Sequence, residues 1–268
     1  MRAAGAVVAV AALVALAGCG GGNHARRDAV NAYFDRLEKA QAPVLLHSPA
    51  IATAFGTFST VRSSPKETAA LVRAHTLLAR VGARVRAVHP PAEAARMQRD
   101  IERLYALQTG VAAELVQMIR FVPAYRKALT PLQPAHAMLS TELKVAKGWQ
   151  AIAAAFKRYR LSLVAVLAKL DALAAPATLR PSFVAQRRNI RQSVVSCSAI
   201  EAALARKDRK GTALAINGLS GLGADSSLAK AQAAQIAATK AYNARLADVS
   251  TLQSAIGKER DKLVGALG

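Results

Sequence analysis

Imidazole and carboxylate side chains could bind a metal in this chain, but their spacing is unfavourable. The five histidines stand singly, and no His-x-x-x-His or Glu-x-x-His pair places two ligands on one helix face. Zinc sites on helices and di-iron helix bundles are built from such pairs. We therefore expect no metal and no cofactor, although distant histidines could still meet in the folded chain. The histidines are His24, His47, His75, His89 and His136.

Cys197 is one of two cysteines in the chain, and an activated cysteine could act as a nucleophile. It lies, however, on an apolar stripe between Val194 and Leu204 of a predicted helix. A cysteine in such a position usually fills space in a core, so we expect an inert side chain.

The glycine and carboxylate patterns do not complete a catalytic motif either. Residues 218–222 lack the final glycine and the preceding strand of a nucleophile elbow, and residues 221–226 lack the third glycine of a dinucleotide-binding loop. The few acidic residues stand among Arg and Lys, as they do in surface ion pairs. We therefore predict that the protein is not an enzyme, with an unrecognised active site as the open alternative.

The other cysteine, Cys19, follows a sequence typical of an export signal. Met1 and Arg2 form a short positive start, and residues 3–16 form an apolar stretch that is too short for a permanent membrane span. The stretch ends in four residues that resemble the lipobox of bacterial lipoproteins, namely Leu16, Ala17, Gly18 and Cys19. This resemblance covers roughly the first 22 residues, and it implies that the Cys19 thiol accepts a diacylglyceryl group before a dedicated peptidase cuts the chain there. A secretory signal that carries a cysteine by chance is the alternative.

This resemblance implies a domain order and a location. Residues 1–18 would be the signal peptide, residues 19–24 a flexible glycine-containing tether, and residues 25–268 a helical bundle domain. Each buried methylene of an acyl chain contributes about 0.8 kcal/mol, so several chains on one cysteine hold a protein stably. We therefore predict that a lipid anchor on Cys19 holds the protein on the extracytoplasmic face of the cell membrane.

Basic residues far outnumber acidic ones. The net charge is +21, and removal of residues 1–18 takes away only the charge of Arg2 and leaves +20. This charge predicts attraction to anionic lipids, wall polymers or an envelope protein, with simple solvation of an Ala-rich core as the alternative. Nucleic acid is not expected, because no aromatic residues interleave with the charges. The candidate contacts form three groups: Arg96, Arg99 and Arg103; Arg187, Arg188 and Arg191; and Arg206, Lys207, Arg209 and Lys210.

Two predicted helices, over residues 148–174 and 68–88, stand out by their apolar periodicity. They align at an offset of 85 residues, and Pro91 and Pro176 end them at matching places. Because a second apolar seam follows each, each pair is predicted to form a helical hairpin. A duplicated hairpin is one interpretation, and chance agreement of two heptad patterns is the other. The seam of the later helix consists of Trp149, Ile152, Phe156, Tyr159, Leu163, Val166, Leu170 and Leu173.

The segments before and after these hairpins also carry helical patterns. We predict a helix over residues 25–46, a short helical piece at 51–58, and a last helix that starts near Ser226 or Ser227. The residues that the last helix is predicted to bury are Ile236, Tyr242, Leu246, Val249, Leu252, Ile256 and Leu263. Because no segment alternates with a period of two, we predict an all-α fold. The simplest arrangement is an antiparallel bundle of five to seven helices.

Prolines and glycines predict where this bundle is interrupted. Pro123, Pro131 and Pro134 predict an irregular connection or short helices, so a sub-boundary near residues 123–147 is the best candidate. Residues 206–210 predict a turn. Glycines at 218, 221 and 223 argue against a long regular element after that turn.

Together these features predict a membrane-anchored lipoprotein that acts as a non-enzymatic scaffold or binding module. The alternative is a ligand-binding or sensory bundle with a pocket between helices. Gln108 favours this alternative, because it is a polar residue on an otherwise apolar seam and would need a partner when buried.

Overall fold

The computed structural model describes residues 24–56, 64–221 and 226–267. Within these ranges all regular structure is helical and no strand is present, which confirms the predicted all-α class. Nine α-helices lie in this part of the chain, more than the predicted five to seven, and one 3-10 turn covers Ala92–Ala94. The helices are α1 (His24–Leu46), α2 (Ser48–Gly56), α3 (Pro65–Arg86), α4 (Ala95–Leu129), α5 (Leu132–Val145), α6 (Trp149–Asp171), α7 (Arg180–Ala205), α8 (Arg209–Gly221) and α9 (Ser226–Leu267).

The start of α3 shows how local sequence fixes a helix end. The Ser64 hydroxyl accepts a hydrogen bond from the Glu67 backbone at 3.2 Å, and the Ser64 backbone donates to the Glu67 carboxylate at 2.7 Å. Pro65 occupies the first helical position, where no backbone donor is needed. This capping box contributes on the order of 1 kcal/mol and explains why α3 begins at Pro65.

Two expectations about helix length were wrong. We expected an irregular connection or short helices from Pro123 onward, but α4 continues through this residue to Leu129, and a short helix, α5, follows only from Leu132. The cost is the hydrogen bond that Pro123 cannot donate to the Ile119 carbonyl, and burial of the neighbouring Phe121 offsets it. We also expected glycines to prevent a regular element after the turn, but α8 runs for 13 residues and ends only at Gly221.

The expected burial of Ile236 was also wrong, since 58% of this residue is exposed. Tyr242, Val249 and Ile256 of the same helix are buried as predicted. A spacing of six residues turns Ile236 to a different face of α9 from Tyr242. The neighbouring Gln235 faces α7 instead and donates a hydrogen bond to the carbonyl oxygen of Thr178 at 2.5 Å.

The chain divides into two compact units. The first takes the described residues up to Ile119 and those from Ala241 onward, and the second runs from Arg120 to Lys240. The division points therefore fall within α4 and within α9. The first of them precedes Pro123, the first proline of the segment where the sequence suggested a sub-boundary.

The core of the first unit combines apolar packing with buried polar interactions, including a hydrogen-bond network around Gln98. Tyr33, which is fully buried, donates a hydrogen bond to the Gln98 side chain at 2.9 Å. Gln98 in turn donates to the Val85 carbonyl at 2.8 Å. Between α3 and α4 the packing is close, because a Cβ atom added at Gly82 would lie 3.2 Å from the Tyr105 Cβ. The surrounding apolar core includes Leu37, Val44, Leu78, Val81, Met97 and Ile101.

The core of the second unit is built on the seam of α6. All eight predicted seam residues lie in this core or pack against it, and Leu163, Val166 and Leu170 are among the fully buried ones. The rings of Phe121 and Phe183 meet edge to face at 5.3 Å between centroids. The helices α6 and α7, which the sequence paired as a hairpin, pack against each other here.

Candidate functional site

The turn between α7 and α8 carries four candidate cations in one short segment. The side chains of Arg206, Lys207, Arg209 and Lys210 are all exposed. None of these four side chains forms an ion pair or a hydrogen bond with any residue that the structure describes. We call residues 206–210 the basic turn.

Backbone hydrogen bonds hold the basic turn in one conformation. At the end of α7, Lys207 donates to the Leu204 carbonyl and Asp208 donates to the Ala203 carbonyl, each at 3.0 Å. This is the bond pattern of a Schellman motif, whose capping residue adopts the left-handed conformation. Lys207 has φ of +54° and is the one non-glycine residue with positive φ in the described part of the chain. The cations therefore project from a defined turn.

Asp208 fixes the other side of the turn by capping α8. Its carboxylate accepts a hydrogen bond from the Gly211 backbone at 2.8 Å, and its carbonyl oxygen accepts from the Thr212 hydroxyl at 2.7 Å. Gly211 leaves room for the carboxylate in this position, because a Cβ atom there would lie 2.3 Å from it and the Asp208 side chain would have to shift. Asp208 is the one acidic residue of the basic turn, and its carboxylate bonds to the helix backbone. With four cations and this carboxylate, the basic turn has a net charge of +3.

Three of these cations lie at positions where their side chains lower the stability of the fold. A side chain in the left-handed conformation costs about 1–2 kcal/mol, and glycine is the usual residue at the position of Lys207. Arg209 and Lys210 are the first two residues of α8, where the helix dipole disfavours a cation by roughly 0.3–1 kcal/mol. Residues that break local preferences in this way are typical of functional surfaces.

The second candidate group lies on α7 and is partly engaged in the fold. The half-buried Arg187 pairs with Asp171, and its guanidinium lies 5.5 Å from the centre of the Phe183 ring. Arg191 approaches the same Asp171 at 3.8 Å, whereas Arg188 is exposed and forms no ion pair within the described ranges. From Arg191 to the end of α7 the helix rises by about 20 Å, so this group does not adjoin the basic turn.

The third candidate group lies on α4, in the first unit. Arg96 is 3.7 Å from the Glu259 carboxylate and is mostly exposed, so the pair contributes little. Arg99 and Arg103 are exposed, and no ion pair to another described residue involves them. These arginines belong to one unit and the basic turn to the other.

Cys197 lies in the core, as the sequence predicted. Its side chain is fully buried among the residues of the second unit. Burial, followed by the charge of Glu201, raises the pKa of the thiol to about 11, although Arg160 acts in the opposite direction. The thiol therefore stays protonated at neutral pH.

Among the residues that the structure describes, no group of three His, Cys, Asp or Glu side chains could hold a metal ion. Gln108 is 6% exposed, as its seam position predicted, and its side-chain amide is not among the buried polar groups that lack a hydrogen-bond partner in the described part of the chain.

A groove between α2 and α3 was not predicted from the sequence. It has a volume of about 460 Å³, and most of its lining residues are apolar. Two arginines of α3, Arg73 and Arg80, lie at its edge together with His47. The signal that could have revealed these arginines is their spacing of seven residues, which places both on one face of a helix. The other lining residues are Ala50, Ile51, Ala70, Val72, Ala74, Thr76 and Leu77.

The lipobox residues Leu16, Ala17, Gly18 and Cys19 lie outside the described residues. None of the helices in the described ranges is both long and apolar enough to cross a membrane. Comparison of the chain with protein-family models, with curated proteins and with solved structures finds no match.

Proposed function

We propose that this protein is a lipid-anchored, extracytoplasmic lipoprotein whose basic turn docks on an anionic lipid surface. In this proposal the two helical units form antiparallel bundles that act as a non-enzymatic scaffold. The observation that supports this proposal is the basic turn, where four exposed cations have no side-chain partner in the described part of the chain and the backbone is held in one conformation at a cost in stability.

The anchor is supported by the lipobox resemblance at Cys19. A tether of six residues spans at most about 20 Å, so it would keep the start of α1 close to the bilayer. Lipid head groups are then the anionic partner at the highest local concentration, which favours them over wall polymers.

The strength of the docking follows from the charges. A cation close to an anionic membrane contributes about 1 kcal/mol, and this contribution decays within a Debye length of about 8 Å at physiological salt. Four cations less the charge of Asp208 supply on the order of 3 kcal/mol, too little for stable attachment alone. The anchor would hold the protein at the membrane, and the basic turn would orient the second unit on it.

A vesicle-binding experiment tests this proposal on the full chain carrying Cys19→Ala, which cannot be acylated at that position. We expect binding to phosphatidylglycerol vesicles, weak binding to phosphatidylcholine vesicles, and a loss of binding at high salt. The fourfold variant Arg206→Gln, Lys207→Asn, Arg209→Gln and Lys210→Gln removes about 4 kcal/mol of attraction and should weaken phosphatidylglycerol binding by roughly 500-fold. Asn is chosen at position 207 because it tolerates the left-handed conformation.

A matched control removes the same charge elsewhere in the second unit. Lys144, Lys147, Lys157 and Lys169 are exposed and have no ion pair with other described residues. Their fourfold replacement by Gln should weaken binding much less than neutralisation of the basic turn. Equal losses in the two variants would show that net charge alone attracts the protein and would reject the basic turn as the docking surface.

A further inference from the structure

We propose that the groove between α2 and α3 binds a single-chain anionic amphiphile, an alkyl chain that ends in a carboxylate or a phosphate. This site lies in the first unit and is independent of the basic turn. Its lining combines an apolar floor with cations at the edge, which are the two features that such a ligand requires.

The apolar part of the groove suits an alkyl chain. Ile51 and Ala74 are buried residues of the core, and Leu77 packs against that core with part of its side chain left accessible. The small side chains of Ala50 and Ala70 leave space between the two helices. The volume of about 460 Å³ lies within the range of roughly 300–1,000 Å³ that is usual for small-molecule sites.

The charged part of the groove suits an anionic head group. Arg73 and Arg80 are exposed and form no ion pair with other described residues. Among the described residues that line the groove there is no carboxylate. The Thr76 hydroxyl already donates to the Val72 carbonyl at 3.0 Å, so the guanidinium groups are the main side-chain donors left for a ligand.

The spacing of the two arginines sets where the head group can bind. Arg73 and Arg80 are seven residues apart on α3, and this separates them by about 10 Å along the helix axis. An alkyl chain that lies along the floor therefore has a cation near either end of the groove. A guanidinium forms paired hydrogen bonds to a carboxylate or a phosphate, and this favours an anion over a neutral or a cationic head group.

Calorimetric titration with twelve-carbon amphiphiles below their micelle concentrations tests the inference. The protein is the full chain with Cys19→Ala in every arm. We expect dodecanoate or dodecanoyl lysophosphatidylglycerol to bind, and the tighter of the two identifies a free fatty acid or a phospholipid as the source of the head group. Dodecanol and dodecyltrimethylammonium should bind at least about tenfold more weakly, since neither pairs with a guanidinium.

Two variants with matched controls locate the binding. Arg73→Gln with Arg80→Gln should raise the Kd of the anionic probe by about tenfold or more, whereas Arg99→Gln with Arg103→Gln removes equal charge from α4 and should leave it unchanged. Ala50→Trp fills the groove and should abolish binding. Its control is Ala83→Trp, which places the same side chain at an exposed position of α3 outside the groove.

The Kd values of the variants either support or reject the groove as a binding site. An anionic probe that loses affinity in the Arg73 and Arg80 variant, but not in the α4 variant, supports the groove as its site. An unchanged Kd in that variant, or equal binding of the cationic amphiphile, overturns it. If Ala50→Trp alters the circular dichroism spectrum, the arginine variant decides alone. Vesicle docking by the basic turn would be unaffected by a negative result here.

Discussion

The carboxylate of Asp208 accepts a hydrogen bond from the Gly211 backbone at 2.8 Å, and this contact lies at the centre of the basic turn. This hydrogen bond connects Asp208 to the N-terminal residues of α8. The carboxylate bonds to the helix backbone and forms no ion pair with the surrounding cations of the turn, so their side chains stay available to a partner. One residue thereby has two effects, since it caps a helix and lowers the net charge of a proposed docking surface.

Substitutions of Asp208 should separate these two effects. Asp208→Asn keeps a capping side chain and removes the negative charge, so the free energy of unfolding should hardly change. Binding to phosphatidylglycerol vesicles should become about fivefold tighter, which corresponds to one charge near an anionic membrane. Asp208→Ala removes the cap as well and should cost about 1 kcal/mol in urea unfolding. Unchanged vesicle affinity in Asp208→Asn would contradict the electrostatic account of the turn.

Lys207→Gly should stabilise the protein while weakening its docking. Glycine adopts the left-handed conformation without steric strain, and the gain is reduced by the larger entropy that glycine has in the unfolded chain. We expect the free energy of unfolding to rise by about 0.5 kcal/mol and vesicle affinity to fall by about fivefold. Lys207→Asn is the control, since it removes the same charge with less change in the backbone. A destabilised Lys207→Gly variant would show that the conformation of this residue is not a source of strain.

Buried tyrosines should make the protein lose stability at alkaline pH. Burial raises the pKa of Tyr105 above its ordinary value of 10.0 and raises the pKa of Tyr242 to about 12, with further effects of Glu114 and Arg245 on the latter. Between the unfolded and the folded pKa only the unfolded chain releases the phenol proton, so stability is present below pH 10 and falls as the pH rises.

Tyr105→Phe isolates one of these groups. The Tyr105 hydroxyl forms no hydrogen bond with another described residue, so this variant should match the parent protein near pH 8. Between pH 9 and pH 11 the variant should lose about 1 kcal/mol less in urea unfolding than the parent protein does. Identical pH profiles for the two proteins would show that Tyr105 does not titrate on unfolding.

A hydrogen-bonded side chain of α9 should stabilise the start of α7. The Gln235 side-chain oxygen accepts from the Ser182 hydroxyl at 2.7 Å, and its amide donates to the Thr178 carbonyl. Gln235→Ala should lower the free energy of unfolding by about 1–2 kcal/mol, because both partners lose a bond. Gln232→Ala is the matched control, since Gln232 is exposed on the same helix and has no partner that the structure describes. Equal effects of the two changes would remove the stabilising role of Gln235.

The helical elements were predictable wherever an apolar seam was long. The seam from Trp149 to Leu173 fixed both the position of α6 and its buried face, because eight residues repeat with one period. The extent of α8 was not predictable, since local glycine propensity is weak against tertiary packing. The prediction of an interruption at Pro123 failed for the same reason, because the sequence does not show how burial offsets the hydrogen bond that is lost at this residue.

The sequence predicted which basic residues cluster in the candidate site, but it did not predict the conformation of the turn that carries them. Clustered basic residues at 206–210 indicated a charged turn, yet only the structure shows that Asp208 bonds to the Gly211 backbone while Lys207 takes positive φ. The sequence equally failed to distinguish Arg187, which pairs with Asp171, from Arg188, which pairs with no acidic residue that the structure describes. Ion pairing depends on which helices meet, and this is set by packing over long sequence distances.

Incorporation of labelled palmitate into the protein in bacterial cells is the most direct measurement for the proposed membrane anchor. We predict that the native chain becomes labelled and stays with the membrane fraction after a high-salt wash. The Cys19→Ala chain should carry no label and should be released by salt. A native chain that is made without label, or that leaves the membranes as easily as Cys19→Ala, would contradict the proposal that lipid on Cys19 holds the helical units at a bilayer.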